Sequence, residues 1–275
     1  MTIVPTSPSK AELERIAHRL RRTVVEMCVM RGQGYAGQGL ALADLMACLW
    51  FDELVRDEVE HRFVLSTGHS AIALFAALGE RGVYEHAELL TYGTDGSRIE
   101  ESPLEGTPGF EITGGALGQG FSQAVGLALG ERLAGSGRRV YCLISDGELQ
   151  EGQVWEAAMA AAHHRLANLV VIVDNNRMQA DGDVADVMEV EPVDARFAAF
   201  GFSTTRVDGA DVDGLRRAFA DARAGDRPAA IVLDSLPGKG VPSFEGYAKV
   251  HYIRAEPGVW ERALAELDAS APPED

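Results

Sequence analysis

Short apolar runs rich in β-branched residues alternate along the chain with longer stretches of helical periodicity, and that alternation restricts the fold more than any other feature. Runs of this kind stand at 63–66, 140–145, 169–175, 202–207 and 230–234, and helical stretches lie between most of them, at 71–81, 121–134, 154–166 and 212–224. Strands separated by a helix pair as parallel neighbours, and a parallel sheet needs both of its faces covered. The expected fold class is therefore α/β, a mostly parallel sheet of five to six strands with helices on both faces. Ligands of such sheets bind outside the carboxyl ends of the strands, so the residues just after each strand are the ones to inspect.

Ahead of the first strand, 11–30 reads as an amphipathic helix, with Leu13, Ile16, Ala17, Leu20, Val24 and Met27 at helical spacing. A second helix is expected at 41–53. The segment between them holds Gly32, Gly34, Gly37 and Gly39, which implies backbone freedom or close approach of another group. Two stretches, 92–115 and 235–258, lack periodicity, and the first is long enough to suggest a functional loop. The expected organisation is one domain over 10–268 with disordered tails at 1–9 and 269–275.

Charge narrows the partners. Twenty-five Lys and Arg stand against 42 Asp and Glu, a net charge of −17, so nucleic acid is an improbable partner and any anionic ligand needs a metal or a helix terminus to help it bind. Cys28, Cys48 and Cys142 sit in apolar surroundings without metal-ligand spacing and read as buried thiols of a reducing compartment. The N-terminal residues lack the pattern of a signal peptide, and no stretch reaches the roughly 18 apolar residues of a membrane span. A cytoplasmic protein with a small-molecule ligand is expected, without membrane contact.

Two strand ends carry the sharpest constellation. Val140–Ser145 runs into Asp146-Gly147, and 169–175 runs into Asn176, so a right-handed parallel crossover brings Asp146 and Asn176 side by side. One carboxylate, one amide oxygen and a nearby carbonyl form an all-oxygen set that suits Mg²⁺ or Ca²⁺. The alternative is that Asp146 caps the following helix and the asparagines make a turn. A glycine-rich run, Thr113-Gly-Gly-Ala-Leu-Gly-Gln-Gly120, precedes the helix at 121–134 and could bring backbone N–H groups to an anion, or serve close helix packing. His69 follows the first strand and His251 lies in the second irregular stretch. Each could donate to a phosphate or shuttle a proton, or satisfy a buried backbone group.

Together, Ser145-Asp-Gly-Glu-Leu-Gln-Glu-Gly-Gln-Val-Trp-Glu156, Asp174-Asn-Asn176, Ser66-Thr-Gly-His69 and Leu117-Gly-Gln-Gly120 resemble the transketolase family of thiamine diphosphate enzymes, and specifically the N-terminal subunit of a split member. The resemblance implies that Asp146, Asn176 and the carbonyl of Met178 hold Mg²⁺ (or Ca²⁺), which bridges to the cofactor's diphosphate. It further implies that Gly147 lies against the diphosphate and that Gly115 and Leu117 border the aminopyrimidine. His69 and His251 match family histidines near the diphosphate and the reacting ring, and Glu151 matches the acid that connects the two active sites of the dimer. The implied activity is transfer of a two-carbon ketol unit from a ketose to an aldehyde. The glutamate that serves the aminopyrimidine lies on a separate domain in this family. A C-terminal, pyrimidine-binding partner subunit in an α2β2 heterotetramer is therefore expected.

Departures fall on the substrate side. Where typical members read Ser-Gly-His-Pro-Gly, this chain reads Gln33-Gly34-Tyr35-Ala36-Gly37, and Ser102 stands where a second histidine is common. Cofactor binding is expected with a non-standard sugar or oxoacid substrate. The alternatives are a 2-oxoacid decarboxylase or dehydrogenase-type component that passes an acyl or hydroxyacetyl unit to a lipoyl or carrier-protein thiol, and a non-catalytic cofactor-binding partner.

Overall fold

The computed structural model describes residues 7–112, 115–247 and 249–273. Its α-helices are α1 (Lys10–Val29), α2 (Ala36–Ala41), α3 (Ala43–Cys48), α4 (Ala71–Glu80), α5 (His86–Leu89) and α6 (Gln119–Leu133). They continue as α7 (Gly152–His163), α8 (Val184–Met188), α9 (Val193–Ala199), α10 (Val212–Ala224) and α11 (Pro257–Ala269). The chain divides into two units, one made of the described residues of 1–56, 69–109 and 236–275, the other of 57–68 and 110–235.

The second unit holds the sheet. Strands β1 (Arg62–Leu65), β2 (Val140–Ser145), β3 (Leu169–Asn175), β4 (Ser203–Asp208) and β5 (Ala229–Asp234) lie in the order β1-β2-β3-β5-β4, every neighbouring pair parallel. All five expected strands are present, each within a residue of its expected ends. Central strands β2 and β3 are buried along their whole length, which is why they read as unbroken apolar runs. On one face Val140, Cys142, Ile144, Val171 and Val173 pack with Phe121 and Ala124 of α6, Val154 and Ala158 of α7 and Phe197 of α9. On the other, Tyr141 meets Phe219 of α10 edge-on at 6.0 Å between ring centroids.

In the first unit, α1 starts on a capping box: Glu12 N–H donates to Ser9 Oγ at 3.2 Å and Ser9 N–H to Glu12 Oε2 at 2.6 Å, worth about 1 kcal/mol. The glycine-rich segment differs from expectation, because Gly37 and Gly39 lie inside α2. Close packing is the reason. A Cβ at Gly39 would stand 2.7 Å from Val24 Cγ1 and 2.9 Å from Ile72 Cγ2, and one at Gly37 would stand 2.2 Å from the carbonyl oxygen of Val250. The expected helix at 41–53 is α3 followed by a π-helical turn at Leu49–Glu53. The second irregular stretch carries a two-residue antiparallel pairing of Ile253–Arg254 with Gln33–Gly34 and ends as α11 begins at Pro257. Helices α5, α8, α9 and α11 have no counterpart in the sequence reading. All three cysteines are buried free thiols, and among the described residues no helix is long and apolar enough to cross a membrane.

Candidate functional site

In the sheet unit, Ser145 pairs with Asp174 across β2 and β3, so the turns after these strands start level with each other. Asp146 is fully buried; its Oδ1 accepts from Gly147 N–H at 2.8 Å and its Oδ2 from Arg177 N–H at 2.5 Å. The second bond crosses between the turns, and Arg177 makes it from a left-handed backbone, φ 63°, at a cost on the order of 1 kcal/mol. Asn176 is oriented from both ends, donating through Nδ2 to Asp174 Oδ2 at 2.8 Å and accepting at Oδ1 from Met178 N–H at 2.9 Å. Asp146 and Asn176 therefore meet on one pair of turns. Val184 N–H donates to the Arg177 carbonyl at 3.0 Å, flanking the antiparallel Met178–Asp183 pair. Met178 is thus the non-hydrogen-bonded member of that ladder, and its carbonyl is free of it.

Burial outweighs the hydrogen bonds made to the two carboxyl groups of this corner. Burial and the nearby Asp174 push the Asp146 carboxyl up to about 8, and burial also raises Asp174. The Arg177 side chain beside them is exposed and turned to Asp234 at 3.7 Å. The Asp146 carboxyl, the Asn176 amide oxygen and the spare Met178 carbonyl fit a small divalent cation, whose charge would offset the burial of Asp146 beside Asp174. Gly147 leaves room beside them, since a Cβ there would meet nothing nearer than Gln179 Cβ at 3.6 Å, and Gln179 Oε1 is buried without a partner.

Glu148, which the sequence did not mark for a role, braces this corner. Its buried carboxylate accepts from Ser66 Oγ at 2.5 Å, Gly118 N–H at 2.8 Å and Ser145 N–H at 3.0 Å. Gly118 caps α6 in the left-handed region, φ 79°, and a Cβ at Gly120 would lie 2.6 Å from Ser66, so the glycine-rich run serves close packing at Gly120. Thr113 and Gly114 lie outside the described residues. Gly115 and Leu117 are exposed, Leu117 at 40%, with the Leu117 carbonyl accepting from Gln153 Nε2 at 2.8 Å. Glu151 is exposed at the N-cap of α7.

In the first unit three of the expected residues form one ring cluster. His69 and His251 lie 5.1 Å apart between ring centroids, and Tyr35 lies 5.6 Å from His69 and 5.9 Å from His251. Gln38 and Tyr252, neither of them marked by the sequence, complete it. Gln38 Nε2 is 2.7 Å from His251 Nδ1, while Tyr252 stands edge-on to Tyr35 at 4.8 Å and donates its hydroxyl to Glu101 Oε1 at 2.8 Å. Ser102 is exposed, and its neighbour Glu101 is the residue that reaches the cluster.

Burial, reinforced by His251, pushes the His69 imidazole down to about 4, and burial lowers His251 as well. Both rings are neutral at pH 7 and able to pass or accept a proton. Between pH 6.5 and about 4 the unfolded chain takes up a proton that folded His69 refuses, so the contribution of His69 to stability is complete above pH 6.5 and is lost as the pH drops through this window. The change in urea stability between pH 7 and 4.5 should differ between the wild type and His69→Asn by up to about 3 kcal/mol, the wild type losing more on acidification. Equal pH profiles for the two proteins would show that His69 is not the group responsible.

A family model described as the transketolase thiamine diphosphate binding domain matches residues 13–255. A transketolase family protein of Sinorhizobium fredii is 45% identical over 262 residues, covering 92% of this chain and 94% of that one. The 6-deoxy-6-sulfo-D-fructose transketolase subunit SqwG of a Clostridium species is 34% identical over 270 residues, covering 95% and 98%. The crystal structure of Campylobacter jejuni transketolase superposes with a TM-score of 0.85 at 28% identity, over 95% of this chain. The present chain spans 43% of that longer one. The order of the four sequence motifs, the parallel sheet and these similarities agree: the chain belongs to the transketolase family, matching its thiamine diphosphate binding domain.

Proposed function

We propose that this chain is the diphosphate-binding subunit of a two-component transketolase that moves a two-carbon ketol unit from a ketose or related donor to an aldehyde acceptor. The observation that carries the proposal is the meeting of buried Asp146 with Asn176 and the spare Met178 carbonyl at the ends of β2 and β3. Asp146, Asn176 and Met178 would hold Mg²⁺, or Ca²⁺ in its place, and the space left by Gly147 would receive the diphosphate. Bound thiamine diphosphate supplies the electron sink for cleaving and re-forming a carbon–carbon bond beside a carbonyl. His69 and His251, neutral and in ring contact, would exchange protons with substrate hydroxyls. The exposed Gly115 and Leu117 are available to border the aminopyrimidine, and exposed Glu151 to join the two active sites of an assembly.

The Clostridium relative, matched over 98% of its length, is named as a transketolase subunit, which supports a partner subunit here. The partner would carry the pyrimidine-binding domain in an α2β2 heterotetramer. Buried free thiols are in keeping with a cytoplasmic enzyme. Tyr35 packs against both imidazoles where a polyol-reading histidine is usual, and this favours a non-standard donor. Ser102 would leave the other substrate-side position open. The aromatic wall also admits a second reading, a 2-oxoacid as donor with an acyl acceptor thiol. The test mixes the chain with its candidate partner subunit, thiamine diphosphate and Mg²⁺ over a panel of ketose phosphates, hydroxypyruvate and other 2-oxoacids. Two-carbon transfer is expected only when both subunits are present. CO2 release with acyl trapping on a thiol favours the second reading, and no product from any donor by a cofactor-loaded complex overturns both.

A further inference from the structure

At the carboxyl ends of β3, β5 and β4, Asn175 is held by two carboxylates that are themselves clamped by one arginine. Asn175 Nδ2 donates to Glu191 Oε1 at 3.0 Å and to Asp234 Oδ1 at 2.9 Å. Arg206 Nη2 donates to the same two oxygens, at 2.6 Å and 2.9 Å. Arg206 Nε reaches Asp234 Oδ2 at 2.8 Å and its Nη1 reaches Glu191 Oε2 at 3.1 Å, so both pairings are bidentate. Glu191 Oε2 is further fixed by Val193 N–H at 2.8 Å. The amide group of a buried asparagine thus sits between two anions whose charges the guanidinium, bonded to both, offsets.

Asn175 is the residue before Asn176 and two before Arg177, whose N–H meets Asp146. Locking Asn175 fixes where β3 ends and how the following turn leaves it. We propose that Arg206, acting through Glu191, Asp234 and Asn175, is a positioning residue that holds the 174–178 turn in the conformation the metal and diphosphate require. This rests on the cofactor role assigned to Asp146 and Asn176. A lysine cannot replace the clamp, because a single ammonium cannot bind two carboxylates bidentately.

Two variants test it. Arg206→Met removes the clamp; Asn175→Leu cuts the link to the turn and leaves the ion cluster in place. Hydrogen exchange of the apo chain should speed up by about tenfold or more at the Arg177 and Met178 amides in both variants, with the rest of the sheet unchanged. In the two-subunit complex, Mg²⁺-dependent thiamine diphosphate affinity should fall by about 10-fold, the effect typical of residues that orient metal ligands. Unchanged exchange at these amides, or faster exchange spread evenly over the sheet, overturns the proposal. If the wild-type complex binds no thiamine diphosphate, the cofactor assignment falls, while the exchange measurement still decides whether Arg206 holds the turn.

Discussion

Asp146→Asn is expected to weaken Mg²⁺-dependent thiamine diphosphate binding by at least about 100-fold, roughly 3 kcal/mol, and to abolish ketol transfer, while leaving the apo fold in place. The carboxylate is the single anionic member of the proposed oxygen set of Asp146, Asn176 and Met178, and a neutral amide there returns little of the metal's charge. Stability responds differently. In the apo protein Asp146 is buried near Asp174, a placement that costs folding energy and lifts its carboxyl to about 8. The amide loses one backbone hydrogen bond, to Arg177 or Gly147, but also loses the cost of burying a charge, so the net change should stay within about 1 kcal/mol. Calorimetric titration of the complex with thiamine diphosphate and Mg²⁺, beside urea denaturation of the apo chain, measures both. Wild-type affinity in the variant would remove Asp146 from the metal site, and apo unfolding would mean that the carboxylate holds the fold.

Features legible in the sequence were those confined to one segment. Strands β2 and β3 announce themselves because burial on both faces leaves their first five residues apolar, and Asp146 and Asn176 stand out because they follow the ends of such runs. Helix α11 was missed although Pro257, Trp260, Ala263 and Leu267 mark its start and its buried stripe, because the glycines and prolines before it read as one continuous loop. Helix α9 is only seven residues long, too short for a periodic signal. Site residues escaped for another reason, namely the distance between partners. Tyr252 and Glu101 are 151 positions apart, and Asn175 and Asp234 are 59 apart. Nothing in either segment alone tells a hydrogen-bonding carboxylate from a solvated one. Ser102 shows the converse: the position was marked by its neighbours in sequence, but Glu101 beside it makes the contact with the ring cluster.

Glu148→Ala should be the most destabilising of these substitutions, by about 3–5 kcal/mol, because it strips the acceptor from three buried donors at once. Ser66 Oγ, Gly118 N–H and Ser145 N–H all end on this one carboxylate, from the end of β1, the start of α6 and the last residue of β2. Burial raises the Glu148 carboxyl and these bonds oppose the rise, so the group belongs to a satisfied network whose cost appears only when a member is removed. Glu148→Gln keeps one acceptor oxygen and turns an amide N–H toward a donor, and about 1–3 kcal/mol should be lost. Urea denaturation of the apo chain measures both, and a loss below about 1 kcal/mol for the alanine variant would show that the three donors find other partners. Glu148 is two residues from Asp146, in the 3₁₀ turn that Asp146 caps, so releasing it also frees the backbone that aims Asp146 at Arg177. The alanine variant should therefore lose stability and cofactor affinity together, where Asp146→Asn loses affinity alone. That contrast separates a residue that builds the corner of the sheet from one that the corner is built to present.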